Sequence, residues 1–338
     1  MDERTPAANV LEIDGLKTYI RLSRSTVRAV DGVSLHIAPG ETLGLVGESG
    51  CGKTITGMSV MKLLPPGGRI VEGTIKLNGR DIVPLPDKTM REVRGNVVSV
   101  IFQDPMTSLN PTMTIGDQIG EALRIHREVG DKEARERVLD VLGLVGMPRP
   151  AERINDYPHQ LSGGLRQRCV IAMALVCEPS LVIADEPTTA LDVTIQSQIL
   201  DLLDELRRRL RMAVLLITHD MGVIAGRADR VAVMYAGKIV EEASTRTLFK
   251  RMRHRYTEAL VEAIPRLDQE TSAELYSIPG LPPDLANPPE ACRFAARCRF
   301  DTEICHNEYP AFSEHEPGHL YACHHPAGVD EPVEAAAQ

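Results

Sequence analysis

The sequence predicts an α/β fold with a parallel sheet, a helical insertion and a small loop-rich C-terminal segment that contains cysteines. From about residue 10 to residue 245, short β-branched apolar runs alternate with helical periodicity. This alternation is typical of parallel strands joined by crossover helices. From about residue 265 prolines become dense and four cysteines follow. Proline at that density disfavours helices and central strands.

The parallel strands are predicted from apolar runs that suit burial on both faces of a sheet. They are Thr42–Val46, Val97–Phe102, Leu181–Asp185, Ala213–Thr218 and Val231–Tyr235. After Val193, apolar residues recur at three- and four-residue steps as far as Leu210, which predicts an amphipathic helix. Between about residues 104 and 165 helical periodicity replaces the strand pattern, so we expect a helical subdomain there.

The predicted domain boundaries follow from these patterns. Residues 1–245 should form the α/β domain, residues 246–326 a C-terminal domain with the cysteine cluster, and residues 327–338 a disordered tail. A length of 338 residues suits two domains. A small proline-rich domain has little apolar core, and it needs a covalent or metal staple if it is to be ordered.

Composition narrows the classes of function. Lys and Arg total 38 against 47 Asp and Glu, a formal net charge of -9, so we expect no nucleic-acid partner. The apolar stretches are far shorter than the roughly 20 residues that span a bilayer, and the start of the chain lacks the apolar core of a signal peptide. Seven cysteines, one of them inside a glycine-rich motif, favour a reducing cytoplasm over a secreted disulfide framework.

A phosphate-binding loop is predicted at residues 47–54, GESGCGKT, between a strand and a helix. It matches the pattern G-x-x-x-x-G-K-[ST]. The glycines let backbone N–H groups surround phosphate oxygens, where a Cβ would obstruct them. The lysine can reach the β- and γ-phosphates, and the threonine hydroxyl can ligate Mg²⁺. The candidate nucleotide contacts are Gly47, Ser49, Gly50, Cys51, Gly52, Lys53 and Thr54.

A second element, LVIADEP at residues 181–187, is a buried strand that ends in two carboxylates. Asp185 at the strand end can hold Mg²⁺ through water. Glu186 points into the same cleft and can orient or deprotonate an attacking water. An acidic turn alone is commoner than a catalytic site, but the phosphate-binding loop favours the catalytic interpretation.

Residues 161–168, LSGGLRQR, lie shortly before this strand, and the combination resembles an ABC-type ATPase. In that family the signature binds the γ-phosphate of ATP held by a second subunit. The physical reason is that a serine and two glycines open a helix and present a hydroxyl and unpaired N–H groups to an anion. The signature residues are Leu161, Ser162, Gly163, Gly164 and Gln167.

The resemblance assigns roles to further residues in the expected order. Gln103 matches the glutamine that senses the metal and the water, and Asp192 lies in TALD, which matches the loop that crosses the dimer interface. His219 matches the histidine that contacts the γ-phosphate and keeps Glu186 aligned. Tyr19 is the candidate platform for adenine, with a surface or core tyrosine as the alternative. The predicted Mg²⁺ ligands are Thr54, Gln103 and Asp185.

Longer stretches resemble the ATP-binding subunits of oligopeptide and dipeptide ABC importers, a group that includes nickel importers. These stretches are QDPMTSLNPTMTIGDQI, YPHQLSGG, ADEPTTALDVTIQ, HRYTEAL and IPGLPP. The resemblance implies a peripheral subunit at the cytoplasmic face of the inner membrane that hydrolyses ATP to energise peptide import. Its partners would be a second ATPase subunit (a paralogue or a copy of itself), two membrane permeases and, indirectly, an extracytoplasmic solute-binding protein.

Two alternatives remain at this point. One is a nickel importer ATPase, because cargo selectivity rests on proteins other than this chain. The other is a soluble ABC switch that acts in translation or DNA repair without transport. Such switches commonly carry two cassettes or a long coiled-coil insertion, whereas this chain shows one cassette and no sustained heptads.

The cysteines Cys292, Cys298, Cys305 and Cys323 have the spacing C-x5-C-x6-C-x17-C. Four thiolates can hold zinc or an iron–sulfur cluster, although the spacing fits neither the usual zinc pairs nor the ferredoxin runs. Four unconnected thiols are a further alternative. Similar tails in the peptide-importer group imply an iron–sulfur cluster, which we favour, and nearby histidines keep zinc as the alternative.

Overall fold

A computed structural model describes residues 9–189, 191–264 and 276–328. The strands are β1 (Leu11–Arg21), β2 (Thr26–Ile37), β3 (Thr42–Val46), β4 (Gly68–Leu77), β5 (Arg80–Asp81), β6 (Val98–Ile101), β7 (Leu181–Asp185), β8 (Ala213–Thr218), β9 (Arg230–Tyr235), β10 (Lys238–Ser244), β11 (Ser313–Glu316) and β12 (His319–Tyr321). The helices are α1 (Lys53–Met61), α2 (Asp87–Val93), α3 (Pro105–Ser108), α4 (Ile115–His126), α5 (Asp131–Leu144), α6 (Pro150–Arg153), α7 (Gly163–Leu175), α8 (Val193–Leu210), α9 (Met221–Ala225), α10 (Thr245–Arg251), α11 (Arg255–Glu262) and α12 (Glu303–Asn307). Within these ranges no helix is both long and apolar enough to cross a membrane.

The central sheet contains the predicted parallel strands. In the described residues its order is β11-β12-β10-β9-β3-β8-β7-β6, and β9, β3, β8, β7 and β6 pair in parallel. The bounds of β3, β7 and β8 agree with the prediction; β6 is one residue shorter at each end, and β9 begins one residue earlier. Successive side chains of β3 enter different cores, since Leu45 packs on one face and Val46 on the other. Burial on both faces explains why these strands read as continuous apolar runs.

A second, antiparallel sheet covers one face of the central sheet, and it was not among the predicted elements. Its order is β2-β1-β4-β5. Its inward side chains, such as Leu11 and Ile75, share a buried core with Leu43 and Leu215 of the central sheet. The phosphate-binding loop (residues 47–54) follows β3, so this packing places the loop next to β2 and β9.

The helical insertion is confirmed. Residues 104–165 contain α3 to α6 and the start of α7, and they contribute no strand within the described chain. Thr114 caps α4 by accepting a hydrogen bond from the N–H of Asp117 at 3.2 Å, which satisfies one of the free N–H groups of the first turn. Ile115, Ile119 and Leu123 then share one face of α4 and are buried against the core.

The described part of the C-terminal segment, residues 276–328, is attached to the central sheet. Strand β12 pairs with β10, and β11 pairs with β12. Glu241 of β10 is fully buried and lies 2.8 Å from His319 of β12. Within the predicted tail, Ala327 is buried and its N–H donates to the carbonyl of Arg253 at 2.8 Å, whereas residues 329–338 lie outside the described residues.

Candidate active site

The phosphate-binding loop packs closely against two strands, β2 and β9. A Cβ on Gly52 would lie 2.1 Å from the carbonyl oxygen of Ala29 in β2, and a Cβ on Gly47 would lie 2.1 Å from that of Met234 in β9. Gly52 also has φ +112°, a conformation that only glycine adopts readily. The loop therefore needs glycine for its own packing as well as for the approach of phosphate.

Lys53 is buried at the first position of α1. Its Nζ donates to the carbonyl oxygens of Gly47 at 2.7 Å and Glu48 at 2.9 Å, so the ammonium lies over the loop. Ser49 and Gly50 are exposed at the tip of the loop. Burial raises the pKa of the Cys51 thiol, so Cys51 is protonated at neutral pH and acts as a packing residue.

The strand β7 brings the first predicted carboxylate to this loop. Asp185 is buried, and its Oδ1 accepts a hydrogen bond from the Thr54 hydroxyl at 3.2 Å. Burial raises the pKa of Asp185 above the ordinary aspartate value, because it disfavours the charged carboxylate. The two oxygens are thus placed together at the start of α1, where the sequence predicts Mg²⁺.

The second carboxylate is held by three side chains. Glu186 Oε1 lies 2.8 Å from His219 Nδ1, and its Oε2 accepts from Gln103 Nε2 at 3.1 Å and from the Thr189 hydroxyl at 2.9 Å. Burial pushes the pKa of Glu186 up, but the hydrogen bonds from His219 and Thr189 outweigh it, so the pKa lies below the ordinary glutamate value. Glu186 is therefore ionised at neutral pH.

The backbone of Glu186 is also unusual, because its φ of +47° lies in the left-handed region. Such a conformation costs a non-glycine residue free energy, which the surrounding contacts must supply. The N–H of Glu186 donates to the carbonyl of Ile217 in β8 at 2.9 Å, and this bond holds the turn. The sequence predicts a catalytic role for Glu186 but gives no sign of its contact with Thr189.

A cavity of about 370 Å³ lies beside the loop. Its lining residues are Ile20, Val27, Ala29, Ser49, Gly50, Gly52, Lys53, Thr54, Ile55, Gln103, Glu186 and Leu285. The polar side contains the predicted phosphate contacts, and the other side is apolar. Such a cavity can take a polyanion and a flat apolar ring together.

Tyr19, the predicted adenine platform, is not among the residues that line this cavity. Its hydroxyl donates to Asp31 at 2.8 Å, and burial raises its pKa to about 12. Ile20 and Val27 lie on the apolar side instead, together with Leu285 from the C-terminal segment. No pattern in the sequence connects Leu285 with a loop more than 200 residues away.

The signature residues lie away from this cavity. Ser162 precedes α7 and is exposed, and no side-chain hydrogen bond caps the helix. Gln167 is buried, and its amide donates to the carbonyl of Pro187 at 2.7 Å, which ties α7 to the residue after Glu186. Asp192 caps α8 by accepting from the N–H of Ile195 at 3.0 Å. Ser162 and Gly163 of the signature are therefore exposed, whereas Leu161 and Gln167 are buried.

The four C-terminal cysteines are free thiols. The N–H of Phe300 donates to the sulfur of Cys298 at 3.4 Å, and that of Phe294 donates to the sulfur of Cys292. Burial raises the pKa of each of these two thiols to about 11. Throughout the described ranges no group of three or more His, Cys, Asp or Glu side chains is arranged to hold a metal ion.

Fold and site together define an ATPase cassette, and comparisons with known proteins agree. The ABC transporter family matches residues 30–189, and the family of oligopeptide/dipeptide transporter C-terminal regions matches residues 240–305. The dimeric ATP-binding cassette MJ0796, bound to ADP and Pi after hydrolysis, covers 70% of this chain and 99% of its own with a TM-score of 0.63 and 26% identity.

Full-length relatives refine this result. The dipeptide transport ATP-binding protein DppD of Bacillus subtilis is 52% identical over 93% of this chain and 94% of its own length. The oligopeptide transport ATP-binding protein OppD of the same organism is 47% identical over 96% of this chain and 92% of its own length. The chain belongs to the ABC transporter family, within its dipeptide and oligopeptide ATP-binding branch. It is an ATPase, of a class that uses ATP and Mg²⁺.

Substitution of Gly52 by alanine tests the packing of the loop. Because the added Cβ would meet the Ala29 carbonyl, we expect Gly52→Ala to lower ATP affinity by at least about tenfold. Gly50→Ala should have a smaller effect, since Gly50 has φ +79° but open space around its Cβ. Affinity is measured by titration calorimetry with Mg–ATP.

Gly79→Ala is the matched control, because Gly79 also has φ +79° and open space but lies in the turn between β4 and β5. It should lower the melting temperature slightly and leave ATP affinity unchanged. Equal ATP affinity in Gly52→Ala and the unmodified protein would contradict the steric argument.

Proposed function

We propose that the chain binds Mg–ATP at residues 47–54 and hydrolyses it with Glu186 as general base. The observation that carries this proposal is the set of contacts that His219, Gln103 and Thr189 make with the Glu186 carboxylate at the edge of the cavity lined by Lys53. An ionised carboxylate fixed in this way can accept a proton from water. Such positioning lowers the entropic part of the barrier.

The residues present fit Mg²⁺. This small hard cation prefers oxygen ligands in octahedral geometry, and the Thr54 hydroxyl and Asp185 carboxylate are 3.2 Å apart. Gln103 donates through its nitrogen to Glu186, which leaves its amide oxygen for the metal. The bound ion would neutralise charge on the β- and γ-phosphates.

The reaction uses the remaining side chains as follows. The Lys53 ammonium leaves the carbonyls of Gly47 and Glu48 and binds the β- and γ-phosphates. A water attacks the γ-phosphorus, its proton passes to the Glu186 carboxylate, and the bond to the β-phosphate oxygen breaks to give ADP and phosphate. His219 keeps the Glu186 carboxylate aligned with the attacking water. The N–H groups at the start of α1 add the positive end of the helix dipole.

The exposure of Ser162 and Gly163 in the signature supports a composite site formed by two ATPase subunits. Ser162, Gly163 and Gly164 would close on ATP held by the second subunit, with Asp192 near the interface. The dimeric state of the similar cassette MJ0796 supports this arrangement. The partner is a paralogue or a second copy of this chain. Closure on ATP and opening after hydrolysis would drive alternating access in two permease subunits.

Replacement of Glu186 by glutamine separates binding from hydrolysis. We expect Glu186→Gln to lower the ATPase rate at least about a hundredfold while ATP affinity stays within a few-fold, because glutamine keeps the shape but cannot take a proton. The closed ATP-bound dimer should accumulate and be visible by size-exclusion chromatography. Glu178→Gln is the control, since Glu178 is exposed and pairs with Arg137. Hydrolysis by Glu186→Gln at the unmodified rate would refute the assignment.

The cargo proposed for the complete transporter is peptide. The similarity to dipeptide and oligopeptide ATP-binding proteins over more than nine-tenths of the chain supports it. The chain would act at the cytoplasmic face of the inner membrane and depend indirectly on an extracytoplasmic solute-binding protein. Import of nickel is the second candidate.

A reconstituted transporter tests the cargo. The complex is isolated with its permeases by pull-down on this chain and placed in liposomes together with its solute-binding protein. We expect dipeptides or longer peptides to stimulate ATP hydrolysis several-fold and to accumulate inside. The Glu186→Gln complex, which cannot hydrolyse ATP, is the control for passive uptake. Stimulation by nickel alone, or a pull-down that contains translation or repair factors without permeases, would contradict peptide import.

We also propose that Cys292, Cys298, Cys305 and Cys323 hold an iron–sulfur cluster. The backbone N–H groups on the sulfurs of Cys292 and Cys298 support it, since such bonds stabilise cluster thiolates. Four cysteine thiolates are also a complete ligand set for such a cluster. The cluster's role would be structural.

Metal analysis tests this proposal. Protein purified anaerobically should contain iron and acid-labile sulfide and show a visible absorption band. Cys292→Ser should lose the band and lower the melting temperature. Cys177→Ser should keep the band and the melting temperature, because the Cys177 sulfur contacts the carbonyl of Ala122 in the helical insertion at 3.6 Å. Zinc without iron in the unmodified protein would overturn the assignment.

A further inference from the structure

The C-terminal segment reaches the phosphate-binding loop through Arg297. The guanidinium makes two hydrogen bonds to the Glu48 carboxylate, 2.6 Å from Nη1 to Oε2 and 2.9 Å from Nη2 to Oε1. Its Nε donates to the carbonyl of Pro279 at 2.8 Å, and Nη1 also donates to the Tyr235 hydroxyl at 3.2 Å. The side chain of Arg297 is 5% exposed and that of Glu48 is 26% exposed, so the guanidinium is shielded from water and the carboxylate is half-buried.

Glu48 is the second residue of the loop, and its backbone is held as well. Its N–H donates to the Tyr256 hydroxyl at 2.8 Å, and its carbonyl accepts from Lys53 Nζ at 2.9 Å. The Tyr256 ring packs on the Tyr235 ring with centroids 4.5 Å apart. The side chain and the N–H of Glu48 are therefore both restrained by residues that follow β10, whereas its carbonyl is held by Lys53 of the loop itself.

The charge of Glu48 poses a problem for a loop that receives a triphosphate. An unpaired carboxylate on the loop that carries Lys53 would repel phosphate and compete with it for the positive charge. The bidentate pair with Arg297 neutralises the carboxylate and directs it away from the cavity, whose lining does not include Glu48. A planar guanidinium suits this better than an ammonium, because it satisfies both oxygens at once.

A second arginine of the same turn anchors the segment to neighbouring strands. Arg293 is buried, and its guanidinium bonds to Asp31 of β2 and to the carbonyl of Ala236 after β9. These are the strands against which the phosphate-binding loop is packed. The turn that contains both arginines is thus fixed relative to the loop, so Arg297 reaches Glu48 from a defined position.

We propose that Arg297 is a positioning residue for ATP binding: it neutralises Glu48 and holds the phosphate-binding loop in the conformation that accepts a triphosphate. The C-terminal segment is thereby part of the nucleotide site. This inference rests on the proposed function of residues 47–54 as the ATP site.

Four variants test the proposal: Arg297→Ala, Arg297→Lys, Glu48→Gln and the double variant Glu48→Gln with Arg297→Ala. The dissociation constant of Mg–ATP is measured by calorimetry, and each melting temperature is recorded. Arg297→Ala should raise the dissociation constant at least about tenfold, because it leaves an unpaired carboxylate beside the loop. The dissociation constant of Arg297→Lys should lie between those of Arg297→Ala and the unmodified protein.

The double variant distinguishes charge neutralisation from a merely structural role. Glu48→Gln removes the carboxylate that Arg297 neutralises, so it should recover most of the affinity lost in Arg297→Ala, to within about threefold of Glu48→Gln alone. In steady-state assays Arg297→Ala should raise KM for ATP and change kcat much less, because the Glu186 carboxylate is untouched. Arg299→Ala is the control, since Arg299 lies two residues on and pairs with Glu262. It should bind ATP normally.

The outcomes separate this inference from the proposed function. Normal ATP affinity in Arg297→Ala, or no recovery in the double variant, would overturn the positioning role while leaving the ATP site intact. Absence of ATP binding in the unmodified protein would overturn the proposed function and this inference with it.

Discussion

The close packing of the phosphate-binding loop between the two sheets is the constraint on which the rest of the structure depends. At Gly47 and Gly52 the loop approaches the backbones of β9 and β2 so closely that a single added carbon would overlap a carbonyl oxygen. The antiparallel sheet must therefore sit in one position relative to the parallel sheet. That position brings Lys53 over the loop and places the start of α1 beside Asp185. A site for phosphate is thus a consequence of how two sheets share one core.

A second constraint acts on the catalytic side. Glu186 has a left-handed backbone, and its carboxylate is held by residues from three different places in the chain: Gln103 after β6, Thr189 in the turn, and His219 after β8. The parallel sheet makes this convergence possible, because the carboxyl ends of β6, β7 and β8 lie at one edge. The cost of the strained backbone is offset by these hydrogen bonds, which also keep the carboxylate ionised.

The C-terminal segment belongs to the same structural unit. Two short strands extend the central sheet, and two buried arginines bond to the elements around the phosphate-binding loop. Phe294, which lies between these arginines, packs on Tyr235 and Tyr256 beneath the loop. The segment has too little apolar surface to form a core of its own. It is ordered because its buried side chains pack against the core of the ATPase domain.

The sequence by itself determined the parallel strands, the helical insertion and the residues of the phosphate-binding loop and of LVIADEP. These depend on local patterns, namely apolar runs buried on both faces and glycine, lysine and carboxylate at fixed spacing. Only the tertiary structure decided the antiparallel sheet, the position of Tyr19 against Asp31 instead of the cavity, and the contacts of Leu285 and Arg297 with a loop more than 200 residues away. Val33, Leu35 and Ile37 of β2 alternate with exposed residues, but register shifts interrupt this pattern along β1 and β4, so the apolar runs alone did not define the sheet. Contacts between distant segments leave no spacing in the chain. Their geometry exists only once the sheets have packed.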